Sequence, residues 1–501
     1  MKTLDTILTG ITGLREVRGE RTREVRGIRY DSRRVAPGDM YVAVNGRDDR
    51  GIEYLPSAVE AGAKIVVVDD MRHVPADILA SDLTLVLVED ARRAMAEMSH
   101  RLFDFPANSM KVYGVTGTNG KTTVTYVLRQ LLEACGERAG VIGTLGKMVG
   151  RIVPTGYTTP EAPELAEILD EMRQARLTAV AMEVSSHALA LDRVTGLNFD
   201  GAIFTNLTQD HLDFHSSFQE YHDAKKLLFD RLDAGRPAVV NIDDIHGASM
   251  VRDCYADVYR YGSSAEADAK IEEVYLAPEN SRWELRFSDR LGGGQVSLSA
   301  PLVGAFNVSN ITGALVLAMA AGYDRRTLLN AVATLRPVPG RMESIPLGNG
   351  ATAVIDYAHT PDALENVLRT LRETGSAGIT VVFGCGGNRD AGKRPIMGTI
   401  AARLADRVIL TSDNPRGEDP GSIIEDIAAG ISSGASVERI ADRALAIEHA
   451  LDESAAGDLV LIAGKGHEDY QIIGAERRHF SDGEQVRAWI AARRTEGMAA
   501  A

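Results

Sequence analysis

The segment VYGVTGTNGKTTV, Val112 to Val124, constrains the fold more than any other stretch of the chain. A short apolar run feeds a glycine-rich turn. Lys121 then opens TTVTYVLRQLLEACG, where Val124, Val127, Leu128, Leu131 and Leu132 recur at helical spacing and Gly136 supplies a stop. Strand, glycine turn and helix N-terminus together offer a phosphate several backbone N–H groups, one cation and the positive end of a dipole. Thr122 is placed for a magnesium ion bridging phosphates. The usual P-loop leaves four residues between its first glycine and the Gly-Lys-Ser/Thr. Here Val115 occupies that first position, with Gly114 one residue early and Gly117 too late. The loop reads as a phosphate cradle of variant spacing; the bland alternative is a tight turn that binds nothing.

At 501 residues the chain exceeds one ordinary core, and two to four domains are expected. Its net charge of −15 disfavours nucleic acid as the main partner, although a local basic pocket for a small anion is compatible with that sum. The 3 cysteines are scattered, which suits a reducing compartment and gives no disulfide framework. The N-terminus lacks the apolar core of a secretory signal, and no run approaches the roughly 18 apolar residues of a membrane helix. A soluble, cytoplasmic, monomeric protein without membrane insertion is expected.

Pattern divides the chain into three α/β segments. Residues 1–107 mix short apolar runs and turns, and DFPANSMK (104–111) reads as a linker. Residues 108–336 carry the phosphate loop and the strand candidates AVAMEV, GAIFTNL and AVVNI. After the proline-stiffened turn LRPVPGRME, residues 337–501 alternate strands (AVIDYA, ITVVFG, RVILTS, LVLIAG) with helices. Such alternation predicts a Rossmann-like, largely parallel sheet with ligands at the strands' C-terminal ends.

Several polar stretches follow predicted strands. AMEVSSHALALDRV (181–194) ends a strand on Glu183, which could hold magnesium near a phosphate loop; with Ser185, Ser186 and His187 it equally reads as a serine helix cap. TNLTQDHLDFH (205–215) gathers Asn206, Asp210, His211, Asp213 and His215, fitting either a hydrogen-bonded turn or a zinc site. YHDAKKLLFD (221–230) is an amphipathic helix whose lysines, on physical grounds alone, belong in solvent. GCGGNRDAGKRP (384–395), SDNPRGEDP (412–420) and AGKGHEDYQ (463–471) each follow a strand, so their polar residues should converge on one rim.

GTNGKTT, these stretches and DYAHTPDAL (356–364) together resemble the Mur ligases, the amino-acid-adding enzymes of peptidoglycan synthesis, over nearly the whole chain. The resemblance implies an ATP- and magnesium-dependent amide ligase with a uridine-nucleotide domain, an ATP domain and an amino-acid domain. It implies ATP contacts for Gly117, Thr118, Asn119, Gly120, Lys121, Thr122, Thr123, Asn307 and Arg341. Thr122, Glu183, His211 and Lys225 become the metal set, and Lys121, Glu183, His211 and Lys225 the catalytic one. Lys225 is the lysine of the family's Tyr-x-x-Ala-Lys segment, which carries a carbamate (N6-carboxylysine).

YDSRRVAPGDMYVAVNGRDDRG (30–51) is similar to the family's uridine-nucleotide segment, implying roles for Ser32, Arg47, Asp48 and Asp49. Thr158, Thr159, Ser185 and Arg193 are implied contacts to the UDP-muramoyl dipeptide. Leu191 departs from the glutamine many relatives place two residues before that arginine. Asp413-Asn414-Pro415-Arg416 resembles the variant that adds meso-diaminopimelate, with Arg389, Gly464 and Glu468 completing the implied site. Diaminopimelate differs from lysine by one further amino-acid-like end bearing a carboxylate. A guanidinium grips that carboxylate with two charge-assisted bonds, which lysine cannot reproduce. The rival readings are a lysine-adding sibling, a folylpolyglutamate synthetase-like glutamate ligase, a kinase and a catalytically silent nucleotide-binding partner protein. Damage to the metal set would favour the last, yet Lys121, Glu183, His211 and Lys225 are all present.

Overall fold

The computed structural model describes residues 1–46, 50–208, 210–211, 214–432 and 434–499. They form two compact units, Met1–Tyr261 with Gly313–Asp324, and Gly262–Thr312 with Arg325–Ala501.

The first unit contains a five-stranded sheet near the N-terminus, strands of the central sheet, and a small antiparallel pair of Lys2–Thr3 with Glu24–Val25. Near the N-terminus, strands run in the spatial order Leu14–Arg18, Thr84–Val88, Ile65–Val68, Asp39–Val42, Gly27–Arg29. All are parallel except the edge strand Leu14–Arg18. Ile65–Val68 is apolar at every position, as a strand covered on both faces must be. The helix Ala91–Leu102 packs against one face and then gives way to Pro106–Ser109. That stretch, expected to be a plain linker, closes into one turn of 3₁₀ helix. Phe105 enters it with φ +50°, and Pro106 takes the first helical position, where its missing N–H costs nothing.

The central sheet places Lys111–Thr116 between Ala179–Glu183 and Gly201–Phe204, all parallel. Ala139–Gly143 lies beyond Ala179–Glu183, and Pro237–Asn241 beyond Gly201–Phe204. Register puts Val115 beside Glu183 and Thr116 beside Phe204. The glycine loop, EVSSH and TNLTQDH therefore leave one edge at one level. The sheet face that carries Val112, Val180, Met182, Ala202 and Phe204 is covered by Leu165, Leu169, Met172, Leu228 and Phe229 of the crossover helices.

The second unit has an antiparallel meander, Ala269–Leu276, Ser281–Phe287 and Gln295–Ala300. Its main sheet runs Glu343–Pro346, Thr352–Asp356, Leu459–Ala463, Ile379–Phe383, Arg407–Leu410, Val437–Arg439. Only Glu343–Pro346 is antiparallel. Register aligns Asp356, Ala463, Phe383, Leu410 and Arg439, so the three polar stretches expected on one rim do emerge side by side. No helix among the described residues is long and apolar enough to cross a membrane.

Candidate active site

The glycine loop is built by contacts that its own spacing does not announce. Gly117 has φ +149°, and a Cβ there would lie 1.9 Å from Thr205 Oγ1. Only glycine fits that close approach. The strand end Thr205–Asn206 then clasps the loop. Asn119 N donates to Asn206 Oδ1 at 2.9 Å, Thr118 N to Asn206 O at 2.8 Å, and Thr205 Oγ1 to Asn119 O at 2.6 Å. Gly120, with φ +86°, turns the chain into the helix Lys121–Ala134. Thr122 and Thr123 are nearly buried in its first turn.

Lys121 Nζ donates back to the carbonyls of Gly117 (2.9 Å) and Thr118 (2.8 Å). Lys225 Nζ, from the helix Phe218–Asp230, donates to the same Gly117 carbonyl at 2.8 Å. Two ammonium groups therefore meet on one acceptor. Lys225 is 1% exposed, not solvated as its amphipathic helix implied; Lys226, its neighbour, is the one that reaches outward, pairing with Asp230. Burial, and secondarily the charge of Lys121, push the Lys225 ammonium well below the ordinary lysine pKa. Desolvation and the neighbouring cation both act against the charged form of this side chain.

Tyr221 ties the two halves together. Its ring lies 4.6 Å from Lys225 Nζ, and its hydroxyl is 3.0 Å from Thr118 Oγ1. Burial raises the Tyr221 hydroxyl to about 12, so it remains protonated. The sequence reading gives Tyr221 no role beyond opening the Tyr-x-x-Ala-Lys segment; four residues before Lys225, it shares that residue's helix face.

Glu183 is 1% exposed at its strand end. Thr144 N donates to its Oε1 at 2.8 Å and Thr144 Oγ1 to its Oε2 at 3.0 Å, leaving lone pairs on both oxygens. Ser185 does act as the helix cap its sequence also allowed, accepting from Ala188 N. His211 adopts φ +55°, and its ring stands 4.8 Å from His187 and 6.1 Å from Tyr221. His215 meets Ser186 Oγ at 3.0 Å. The structure thus gathers Lys121, Thr122, Lys225 and His211 around one loop, with Glu183 on the adjacent strand.

Thr158 Oγ1 is 3.1 Å from Thr144 Oγ1. Thr159 is wholly buried, donating to Glu183 O (2.9 Å) and accepting from Ser185 N (3.1 Å), so its side chain sets the backbone under the site. Arg193 pairs with Glu161 at 2.8 Å and donates to Thr159 O at 2.9 Å. In the N-terminal sheet, Ser32 is nearly buried in the 3₁₀ turn Ser32–Arg34. A cavity of about 490 Å³, with Asn45, Arg50, Arg72 and His73 among its walls, opens near the C-terminal ends of its parallel strands. Arg47, Asp48 and Asp49 lie outside the described residues.

In the second unit, Asn307 Nδ2 donates to Val303 O at 2.8 Å. The Arg341 guanidinium lies 4.8 Å from the Tyr357 ring, and its Nε is buried without a hydrogen-bond partner. At the sheet rim, Arg416 takes φ +52°, unusual for a side chain of that size. Its backbone is held on both sides, Arg416 N to Ile472 O at 3.0 Å and Gly474 N to Arg416 O at 2.7 Å. Its Nη1 donates to Gly387 O at 2.9 Å. Pro415 O would collide at 1.9 Å with a Cβ on Gly387, so the GCGG loop and the Asp-Asn-Pro-Arg loop close together only through glycine. Asp413 accepts from Asn414 N at 2.6 Å, Asn414 Nδ2 donates to Glu468 Oε2 at 2.9 Å, and Gly464 N donates to Asp356 O at 3.1 Å. Arg389 is exposed on the same loop as Gly387.

Three family models match the chain: "Mur ligase family, catalytic domain" over 24–102, "Mur ligase middle domain" over 115–318 and "Mur ligase, glutamate ligase domain" over 340–466. The chain is 40% identical over 499 residues to the UDP-N-acetylmuramoyl-L-alanyl-D-glutamate--2,6-diaminopimelate ligase of Geobacillus thermodenitrificans, covering 98% of this chain and 100% of the relative. It is 42% identical to the enzyme of that name from Chlorobaculum tepidum, over 97% of each. A solved structure of a UDP-N-acetylmuramoyl-L-alanyl-D-glutamate--2,6-diaminopimelate ligase matches with TM-score 0.72 and 33% identity, over 99% of this chain and 100% of that one.

Proposed function

The chain belongs to the Mur ligase family, and from that premise we propose that it joins meso-2,6-diaminopimelate to the D-glutamyl γ-carboxylate of UDP-N-acetylmuramoyl-L-alanyl-D-glutamate at the expense of ATP, in the cytoplasmic synthesis of peptidoglycan precursors. The observation that carries the reading is the meeting of Lys121 and Lys225 on the Gly117 carbonyl, in a glycine loop at the edge of a parallel sheet. Such a site is made for anions. The division at 107 and 336 assigns the uridine nucleotide to the first segment, ATP to the second and the amino acid to the third.

The γ-carboxylate attacks the γ-phosphorus of ATP; ADP leaves and an acyl phosphate remains. The diaminopimelate amine then adds to the acyl carbon, loses a proton and expels phosphate, leaving an amide. Carboxylate and triphosphate repel, so their approach needs preorganised positive charge. Lys121 and the N-terminal turn of the helix Lys121–Ala134 supply part of it, Thr118 N and Asn119 N being already taken by Asn206.

The residues fit magnesium. Thr122 and Glu183 are hard oxygen donors, and a carbamate on Lys225 would add another. No three His, Cys, Asp or Glu side chains form a metal cage among the described residues. Magnesium usually takes one or two carboxylates together with substrate phosphates, so that donor set suffices. Thr122 and Glu183 would hold one ion, His211 and carbamylated Lys225 a second. Bound magnesium supplies charge that lowers the repulsion between the two reacting anions. Carbamate formation also resolves the clash at Gly117. The neutral Lys225 amine captures carbon dioxide, loses a proton and becomes an anion beside the Lys121 cation.

The test is phosphate release with ATP and the nucleotide dipeptide, comparing meso-diaminopimelate, L-lysine and L-glutamate. Diaminopimelate is expected to exceed lysine by about 100-fold or more in kcat/KM, as when a buried charged group loses its partner. Faster release with lysine would make the chain the sibling ligase, and release without any amino acid would remove the ligase reading.

A further inference from the structure

The rim of the C-terminal sheet holds a buried cation that the ligation scheme leaves unused. Lys465 follows the strand Leu459–Ala463 and is wholly buried. Its Nζ lies 3.2 Å from Glu468 Oε2, 3.4 Å from Asn414 Oδ1 and 5.4 Å from the Tyr470 ring centroid. Lysine is almost never fully buried unless paired, so these partners must be what retains it.

Asn414 is held from two sides. Ile472 N donates to its Oδ1 at 2.9 Å, while its Nδ2 donates to Glu468 Oε2 at 2.9 Å. Two donors on one end and a carboxylate on the other set the amide's orientation. Glu468 Oε2 accordingly receives both Lys465 and Asn414. The floor beneath is independent of Lys465. The Arg443–Asp482 pair, both side chains wholly buried and 2.7 Å apart, donates from Arg443 to Ser412 O (3.3 Å) and Ala463 O (3.0 Å). Gln471 Nε2 adds a bond to Asp413 O at 2.8 Å. The backbone of the Asp-Asn-Pro-Arg loop therefore has its own support.

We propose that Lys465 is a positioning residue for the incoming amino acid: it clamps Glu468 and Asn414 into one arrangement, so that the Glu468 carboxylate is already oriented when an ammonium group of the substrate reaches it. The inference rests on the ligase reading above and deepens it. Preorganisation of this kind appears as affinity for one substrate, because the free site no longer has to order a flexible glutamate on binding. A purely structural lysine would weaken all three substrates alike.

The test is steady-state kinetics of Lys465→Met, which keeps the apolar stem and removes the charge. The KM for meso-diaminopimelate should rise at least 10-fold, while the KM values for ATP and the nucleotide dipeptide stay within twofold. In that background Glu468→Gln should add less than threefold, although alone it raises the same KM at least 10-fold, because the clamp and its target act as a unit. If Lys465→Met is not recovered folded, Lys465→Gln carries the same expectation. An unchanged diaminopimelate KM, an equal rise for all three substrates, or fully additive effects would overturn the proposal. Wild-type protein without diaminopimelate-dependent phosphate release would instead refute the ligase reading itself.

Discussion

Lys225→Ala is expected to lose amide-forming turnover by roughly 10²–10³-fold or more, the scale of removing a charge-stabilising group from a preorganised site. Acetate or formate should restore part of the loss, because either can occupy the space of the missing carbamate and return an anion to it. Lys225→Arg should be as inactive as the alanine variant and less readily rescued, since a guanidinium stays protonated and cannot capture carbon dioxide. The expectation follows from geometry. A fully charged Lys225 would be buried, 2.8 Å from a carbonyl that also receives Lys121. Desolvation and like charge both disfavour that state. Initial rates with and without added carboxylic acids measure it, and wild-type rates in Lys225→Ala would refute the carbamate assignment.

Arg416→Ala is expected to raise the KM for meso-diaminopimelate about 100-fold while leaving the KM for ATP within twofold. Losing one partner of a hydrogen-bonded charge pair commonly costs about 2–5 kcal/mol. Arg416 is presented by strain that its neighbours sustain. Its left-handed backbone is fixed by two main-chain bonds to the Ile472–Gly474 stretch, and Gly387 O orients its guanidinium. Lysine should suffer far less from the substitution, since it offers no second carboxylate, so the ratio of the two kcat/KM values should collapse. Equal loss toward ATP and diaminopimelate would strip Arg416 of its selectivity role.

What the sequence made legible was local. The strand, turn and helix around Gly117 were readable because periodicity and glycine placement lie within a few residues of each other. So were the three polar stretches of the C-terminal rim, since each directly follows an apolar run. What escaped depends on chain partners far away. Lys225 is buried by a carbonyl 108 residues upstream, and nothing in YHDAKKLLFD says which of its lysines turns inward. Thr144 reaches Glu183 only because Ala139–Gly143 neighbours Ala179–Glu183 in the sheet. The Arg443–Asp482 pair and Lys465 look like surface charges until the fold encloses them. Thr159, an implied contact of the UDP-muramoyl dipeptide, has its side chain bonded inside to Glu183 O and Ser185 N, which no local pattern in YTTPEAP announces.

The phosphate loop matters here only if the substrate carboxylate is activated on it. The most direct measurement uses UDP-N-acetylmuramoyl-L-alanyl-D-glutamate with heavy oxygen in the γ-carboxylate, and mass spectrometry of the released phosphate. Transfer of one heavy oxygen to each phosphate, in step with amide formation, is the predicted result. Phosphate carrying none of the label while the amide still forms would contradict the account.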